Sequence, residues 1–293
     1  MIPLEDHVSE YASGNGRIVV LTGAGISAES GIPTFRGEEG YWQVGSRNYH
    51  PQEMATFQTF YEMPDEVWAW YLYRRSVCRT AKPNAAHDAL VRLEQHLGER
   101  FQLITQNVDG LHLRAGQSLE RTWQIHGDIE FMRCTKECDA TLHPMPAAIG
   151  DQFGKTDKLD DRLRGLLVCP TCGGRSRPHV LWFDEMYDEP RYRFESSMNA
   201  MMGADALVVI GTSGATTLPS LLVRTSVRTR IPLLVVDPGD SVFTEAAESA
   251  PHGLHARGAA VEMVPRIAAA LGARTPGNPS PAADIKDVTG TRS

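Results

Sequence analysis

The chain has 293 residues with 42% hydrophobic and 22% charged, ordinary globular values, and 29 Lys plus Arg against 36 Asp plus Glu give a formal net charge of −7. That balance allows a sizeable core in one large domain or two small ones and argues against general nucleic-acid binding. No apolar run reaches the length of a membrane span, and Met1-Ile2-Pro3-Leu4-Glu5-Asp6 has neither a secretory nor a transit character, so a cytoplasmic protein away from membranes is expected.

Residues 3–12 are expected to form a short helix. Ile18-Val19-Val20-Leu21 then reads as a buried strand. It runs straight into Gly23-Ala24-Gly25, and Ala28 completes the pattern Gly-x-Gly-x-x-Ala. In a strand-to-helix turn such glycines let backbone approach a pyrophosphate, with free N–H groups facing the anion. Tight turns also need glycine for structural reasons alone. Pro33-Thr34-Phe35-Arg36-Gly37 adds an aromatic ring and a cation beside the loop. The acidic residue a dehydrogenase carries ~20 residues after its first glycine is missing, because position 43 is Gln43. The loop therefore suits a dinucleotide held for something other than hydride transfer.

Residues 37–85 show no clear strand and read as a helical insertion, with helices opening at Pro51 and at Asp65-Glu66. Asn84 is an expected N-cap, and Phe101–Thr105 a second core strand. Residues 128–180 change to cysteines, prolines, glycines and a polar middle, the character of a small module. Strands follow at Ala206–Ile210 and Leu233–Val236, separated by helical Leu218–Arg228. Val261-Glu262-Met263-Val264 is expected as the last strand, with Pro265 opening a closing helix. Residues 273–293 read as a disordered tail. Alternating strands and helices imply an α/β fold with a parallel sheet.

Cys134-x-x-x-Cys138 and Cys169-x-x-Cys172 are two short-spaced pairs, enough for a closed tetrahedral structural zinc site; disulfides are the alternative. Cys78 stands alone. Ligands of parallel sheets sit beyond the carboxyl ends of strands, where three polar clusters fall: Gln106-Asn107-Val108-Asp109-Gly110, Gly211-Thr212-Ser213-Gly214 and Asp237. Turn chemistry alone explains any one of them; three together favour a site. His126 is the best general-base candidate among 10 histidines, although its spacing alone would not select it.

Taken together, residues 23–36, Thr105–His112, Ile125-His126-Gly127, the cysteine pairs and Gly211-Thr212-Ser213 resemble the ordered motifs of a sirtuin, over roughly residues 15–272. The resemblance implies a Rossmann-like NAD-binding domain (1–36, 86–127 and 181–272), the helical insertion 37–85 and a Cys₄ zinc module (128–180). NAD and an acyl-lysine protein would meet between them, in a monomer or weak oligomer. It implies cofactor contacts from Gly23, Ala24, Gly25, Phe35, Arg36, Gln106, Gly211, Thr212, Ser213, Asp237 and Ala260. Asn107 and Asp109 would position nicotinamide and ribose, His126 would take a proton from a ribose hydroxyl, and Phe183 and Glu185 would meet the peptide. The products would be nicotinamide, lysine and O-acyl-ADP-ribose.

Tyr71 and Arg74 lie three apart on an expected helix and so share a face, a geometry suited to clamping a carboxylate. With Ala28 and Gly40-Tyr41-Trp42 this Tyr-x-x-Arg pair resembles the sirtuins that remove malonyl, succinyl and glutaryl groups; an aromatic helix packed on the core is the plainer alternative. Asp184 stands where the family usually has Gly, and Asp237 where Asn is common. The rival functions are an NAD glycohydrolase or ADP-ribosyltransferase on the same scaffold, a dehydrogenase, and a non-enzymatic zinc-ribbon binding module.

Overall fold

A computed structural model of the chain describes residues 4–5, 8, 11, 14–33 and 42–273. Of the expected N-terminal helix, Leu4, Glu5, Val8 and Tyr11 are helical. The strands are β1 (Arg17–Thr22), β2 (Trp42–Val44), β3 (Arg47–Tyr49), β4 (Phe101–Thr105), β5 (Thr122–Gln124), β6 (Gly127–Cys134), β7 (His143–Pro144), β8 (Ser176–Val180), β9 (Ala204–Ile210), β10 (Leu233–Asp237) and β11 (Gly253–Arg257). Six of them form one sheet in the order β11-β10-β9-β1-β4-β5. Every pairing in it is parallel, with Thr22 level with both Thr105 and Ile210.

The period-two side-chain alternation of these strands builds a core on each face. Ile18, Val20, Leu103, Val208 and Val236 point to one side, where they meet Leu90 and Leu93 of helix Ala85–Leu97 and Ile267 of helix Ala260–Ala270. Val19, Leu21, Ile104, Val209 and Val235 point to the other, against Leu218 and Leu222 of helix Thr217–Thr229 and Phe243 of helix Val242–Ser249. Asn84 caps its helix as expected, accepting from the Ala86 N–H at 3.0 Å.

A third core lies outside this sheet. It joins Met54, Phe60, Trp68, Trp70 and Leu72 from the 42–80 segment to Ile129, Met132, Leu163, Leu167, Val180 and Trp182 from around the cysteine module. The helical segment and the β7-β6-β8 sheet therefore share one apolar interior.

Four expectations are corrected. Residues 42–49 form a small antiparallel hairpin turning on Gly45, whose φ of +61° needs no Cβ to accommodate. Val261–Val264 is helix, not strand: Ala260, Val264, Ile267 and Ala268 lie on one buried stripe of Ala260–Ala270, and the last strand is β11. Pro265 sits inside that helix instead of opening it. Ala273 is buried, its N–H donating to Ala268 O at 2.9 Å, so the closing helix is anchored one residue into the expected tail. The rest of that tail lies outside the described residues.

Candidate active site

The strand order grows outward in opposite directions from β1 and β9, so the crevice of the sheet falls at their carboxyl ends. There the two glycine loops are laced together. Gly23 N–H donates to Ile210 O at 3.0 Å and Gly25 N–H to Gly211 O at 2.8 Å. A Cβ on Gly25 would lie 2.6 Å from Gly211 Cα, and one on Gly23 2.6 Å from Thr212 Cβ. The expectation that these N–H groups are free for an anion is thus corrected for Gly23 and Gly25, whose first role is close backbone approach between the loops.

Gln106 fastens the same corner. Its Nε2 donates to Thr212 Oγ1 at 2.8 Å and to Thr22 O at 3.3 Å, and its Oε1 accepts from Thr216 Oγ1 at 3.1 Å. Beside it runs a directed chain. Asn107 Nδ2 donates to Gly23 O (3.1 Å) and Ser27 Oγ (3.2 Å), and Ser27 Oγ donates to Asp109 Oδ2 at 2.8 Å. The Leu111 N–H donates to Asp109 Oδ1 at 2.8 Å. Burial raises the Asp109 carboxyl pKa, opposed by the Leu111 and Ser27 bonds. Ser27 is fully buried, and it fixes both polar side chains from the helix Ala24–Ser30.

His126 lies in the turn between β5 and β6, its carbonyl accepting from the Leu181 N–H at 2.9 Å. Burial pushes the imidazole pKa down to about 4, partly opposed by a hydrogen bond with the Gln106 main chain. At pH 7 the ring is neutral and has a nitrogen available to accept a proton. Nε2 lies 2.7 Å from the hydroxyl of Tyr187.

Helix Pro64–Thr80 contributes Tyr71 and Arg74 to the lining of the same space. The Tyr71 hydroxyl accepts from Trp182 Nε1 at 2.8 Å, which leaves its own proton to donate. Burial raises the Tyr71 pKa, so the phenol is protonated throughout the neutral range. The Arg74 guanidinium lies 5.3 Å from the Trp70 ring. Cys78, one turn further on, is buried against the same space, and burial pushes its thiol up to about 12.

Segment 181–187 adds to this lining. The Phe183 N–H donates to Ala55 O at 2.9 Å, with half of the Phe183 side chain exposed. The Asp184 carboxylate accepts from the Phe57 and Gln58 N–H groups at 2.8 and 3.1 Å, adding a charge at the start of helix Phe57–Glu62. A side chain at this position thus has a physical use that glycine lacks: it ties the segment to the helical insertion. The Glu185 carboxylate accepts from Trp182 N–H at 2.9 Å and from Arg177 Nη2 at 2.8 Å, and the Arg177 guanidinium stacks 3.4 Å over the Trp182 ring.

These groups are arranged around one cavity of about 700 Å³. Among the described residues it gathers Gly23, Ala24, Gly25, Gln106, Asn107, Asp109, His126, Gly211, Thr212, Ser213, Asp237 and Ala260 with Tyr71, Arg74, Phe183 and Glu185. Phe35 and Arg36, like Gly40 and Tyr41, lie outside the described residues. Gln43 lies in β2 and does not border the cavity. The polar floor and the glycine-permitted backbone approach fit a dinucleotide. Sequence reasoning missed Ser27, Trp182 and Tyr187 as parts of the site. Ser27 stood inside the glycine motif, three residues past Ala24; nothing in the spacing ties Tyr187 to His126, 61 positions earlier.

The four cysteine Sγ atoms lie within 4.8 Å of one another, with Cys134–Cys172 at 3.7 Å and Cys138–Cys169 at 3.6 Å. A tetrahedral zinc with ~2.3 Å bonds holds its sulfurs ~3.8 Å apart, so the cluster fits that ion. Backbone N–H groups of Cys138 and Lys136 bring the Cys134 thiol pKa down to about 7, favouring the thiolate a metal needs. The ion would clamp β6 to the 167–176 turn, whose Cys169 N–H donates to Gly174 O at 2.7 Å.

A doubly covered parallel sheet, a glycine-laced switch-point cleft and a separate Cys₄ cluster define a Rossmann-type, dinucleotide-binding protein. The chain belongs to the Sir2 family, the sirtuins, whose family model matches residues 23–217. It is 34% identical over 267 residues to an NAD-dependent protein deacylase of Leptospira interrogans, spanning 90% of this chain and 96% of that one. Among solved structures it is similar to a Sir2 homologue in complex with 2'-O-acetyl ADP ribose (TM-score 0.74, 32% identity, 92% of this chain and 96% of that). It is also similar to a Sir2–p53 peptide–NAD+ complex (TM-score 0.72, 26% identity, 92% of this chain and 99% of that). Among the described residues no helix is long and apolar enough to cross a membrane.

Proposed function

We propose that the chain is an NAD-dependent protein-lysine deacylase that removes acetyl groups and, through Tyr71 and Arg74, the acidic malonyl and succinyl groups. One observation carries this reading: the dinucleotide floor and the Tyr71–Arg74 wall border the same cavity, and His126 lines it too. NAD supplies an activated sugar that can receive the acyl group. The protein's own contributions follow from the geometry. Gly23, Ala24, Gly25, Gly211, Thr212 and Ser213 form the floor on which the pyrophosphate lies, and Asp237 and Ala260 receive the adenosine end. Asn107 and Asp109, locked through Ser27, hold nicotinamide and ribose in one orientation. His126, neutral at pH 7, takes the ribose hydroxyl proton. Phe183 and Glu185 shape the wall along which the peptide lies.

The Tyr71 phenol, oriented by Trp182, and the Arg74 guanidinium are two donors suited to one carboxylate. An NAD glycohydrolase or ADP-ribosyltransferase would leave this half of the cavity without use. None of the five cysteines is disulfide-bonded, in keeping with a reducing cytoplasm and with four of them holding zinc. The test is a panel of acetyl-, malonyl-, succinyl- and longer-chain acyl-lysine peptides with NAD, read by product mass. The reading expects O-acyl-ADP-ribose from every peptide that reacts, with the acidic acyl groups preferred. Free or protein-linked ADP-ribose without peptide deacylation would replace it with the rival.

A further inference from the structure

Tyr187 has no role in the chemistry set out above, yet its hydroxyl lies 2.7 Å from Nε2 of His126 and both side chains border the cavity. The two rings are 5.7 Å apart at 40°. The phenol is held from behind. Its ring packs 6.4 Å from that of Phe194, and its oxygen faces the Thr216 side chain and the Leu218 main chain, which favour negative charge on it. Thr216 in turn donates to Gln106 Oε1, and the Gln106 main chain meets His126. Gln106, Tyr187 and Thr216 are therefore grouped around His126, with Tyr187 bonded to the nitrogen that the reaction requires.

The proton in the His126–Tyr187 bond belongs to the phenol. Burial raises Tyr187 to about 12 and lowers His126 to about 4, so the imidazole is the acceptor. A ribose hydroxyl giving its proton to His126 must approach the same lone pair, and one nitrogen lone pair serves one strong donor.

Resting on the reading of His126 as the base that meets the NAD ribose, we propose that Tyr187 is a positioning residue standing in for the ribose hydroxyl: its phenol caps Nε2 and orients the imidazole until NAD displaces it. The cap holds the ring in its working rotamer and weakens cofactor binding by the hydrogen bond that must be exchanged.

The experiment is a double-mutant cycle on NAD affinity, measured calorimetrically without acyl-peptide on wild type, Tyr187→Phe, His126→Ala and the double variant. Tyr187→Phe keeps the ring packing on Phe194 and removes only the hydroxyl. It is expected to tighten NAD binding about three- to tenfold, the equivalent of one ordinary hydrogen bond. In the His126→Ala background the same change has nothing to uncap and should move the affinity by less than about 1.5-fold. In turnover, Tyr187→Phe should lower KM for NAD by the larger factor and move kcat less, whereas a merely structural loss would lower kcat and kcat/KM together. Weaker NAD binding by Tyr187→Phe, or equal tightening in both backgrounds, overturns the cap while leaving the deacylase reading in place. A wild type that binds no NAD removes the underlying reading and the cap with it.

Discussion

Replacing Arg74 by methionine separates acidic-acyl recognition from the rest of the site. Methionine keeps an unbranched apolar stem against Trp70 and removes the guanidinium that lies 5.3 Å from that ring. A hydrogen bond to a charged partner contributes ~1.5–3 kcal/mol. Arg74 is only partly buried, so solvent screening places the loss in the lower half of that range. A loss of ~1.5–2 kcal/mol corresponds to ~10- to 30-fold in kcat/KM for a succinyl-lysine peptide. An acetyl group offers no carboxylate, and its kcat/KM should change by less than ~3-fold. Arg74→Met is a cleaner probe than Tyr71→Phe, because the latter strands the buried Trp182 Nε1–H, at a cost of ~1–3 kcal/mol in stability. The assay is steady-state deacylation of matched acetyl- and succinyl-peptides by mass spectrometry. Equal losses on the two substrates would refute the clamp.

Two further outcomes follow from the chemistry of buried groups. Cys169→Ser removes a fully buried ligand of the Cys₄ cluster; one zinc per chain should be lost and Tm should fall by about 10 °C or more, and unchanged zinc content and Tm would contradict a structural metal. His87 and His179 are buried and pushed down to about 4, whereas unfolded histidine titrates near ~6.5. Between those values the unfolded chain binds protons that the folded chain excludes. Their contribution to stability is complete above pH ~6.5 and is lost as pH falls toward ~4. Thermal melts should show Tm falling steadily from pH 7 to pH 4.5, and a flat Tm across that interval would contradict the buried-neutral assignment.

The sheet was legible because β-branched runs such as Val19-Val20-Leu21 and Leu207-Val208-Val209 are buried on both faces, which few structures other than a covered parallel strand satisfy. For the same reason the sequence of Val261–Val264 suggests a strand where the structure has helix. A short apolar run does not distinguish strand from buried helix, and here packing against Ala85–Leu97 selects helix despite Pro265. The β2–β3 hairpin escaped because its strands are three residues each, although Gly45-Ser46 between Trp42-Gln43-Val44 and Arg47-Asn48-Tyr49 is a turn signal. The cysteine cluster was legible from spacing alone, since each pair is local. The links that make the site were not. Trp182 to Tyr71 spans 111 positions and is brought together by the third core, shared by two sequence-distant segments. Tyr187 to His126 spans 61 and is brought together on the core of the large sheet, where Tyr187 packs against the cluster that includes Ile125.

The most direct measurement is the mass balance of one acyl-lysine peptide incubated with NAD and either wild type or His126→Ala. Wild type should convert peptide and NAD to deacylated peptide, nicotinamide and acyl-ADP-ribose in equal amounts. His126→Ala should fall by ~10²- to 10⁴-fold, as removal of a general base does. Deacylation that proceeds without NAD, or an alanine variant that turns over at the wild-type rate, would contradict it.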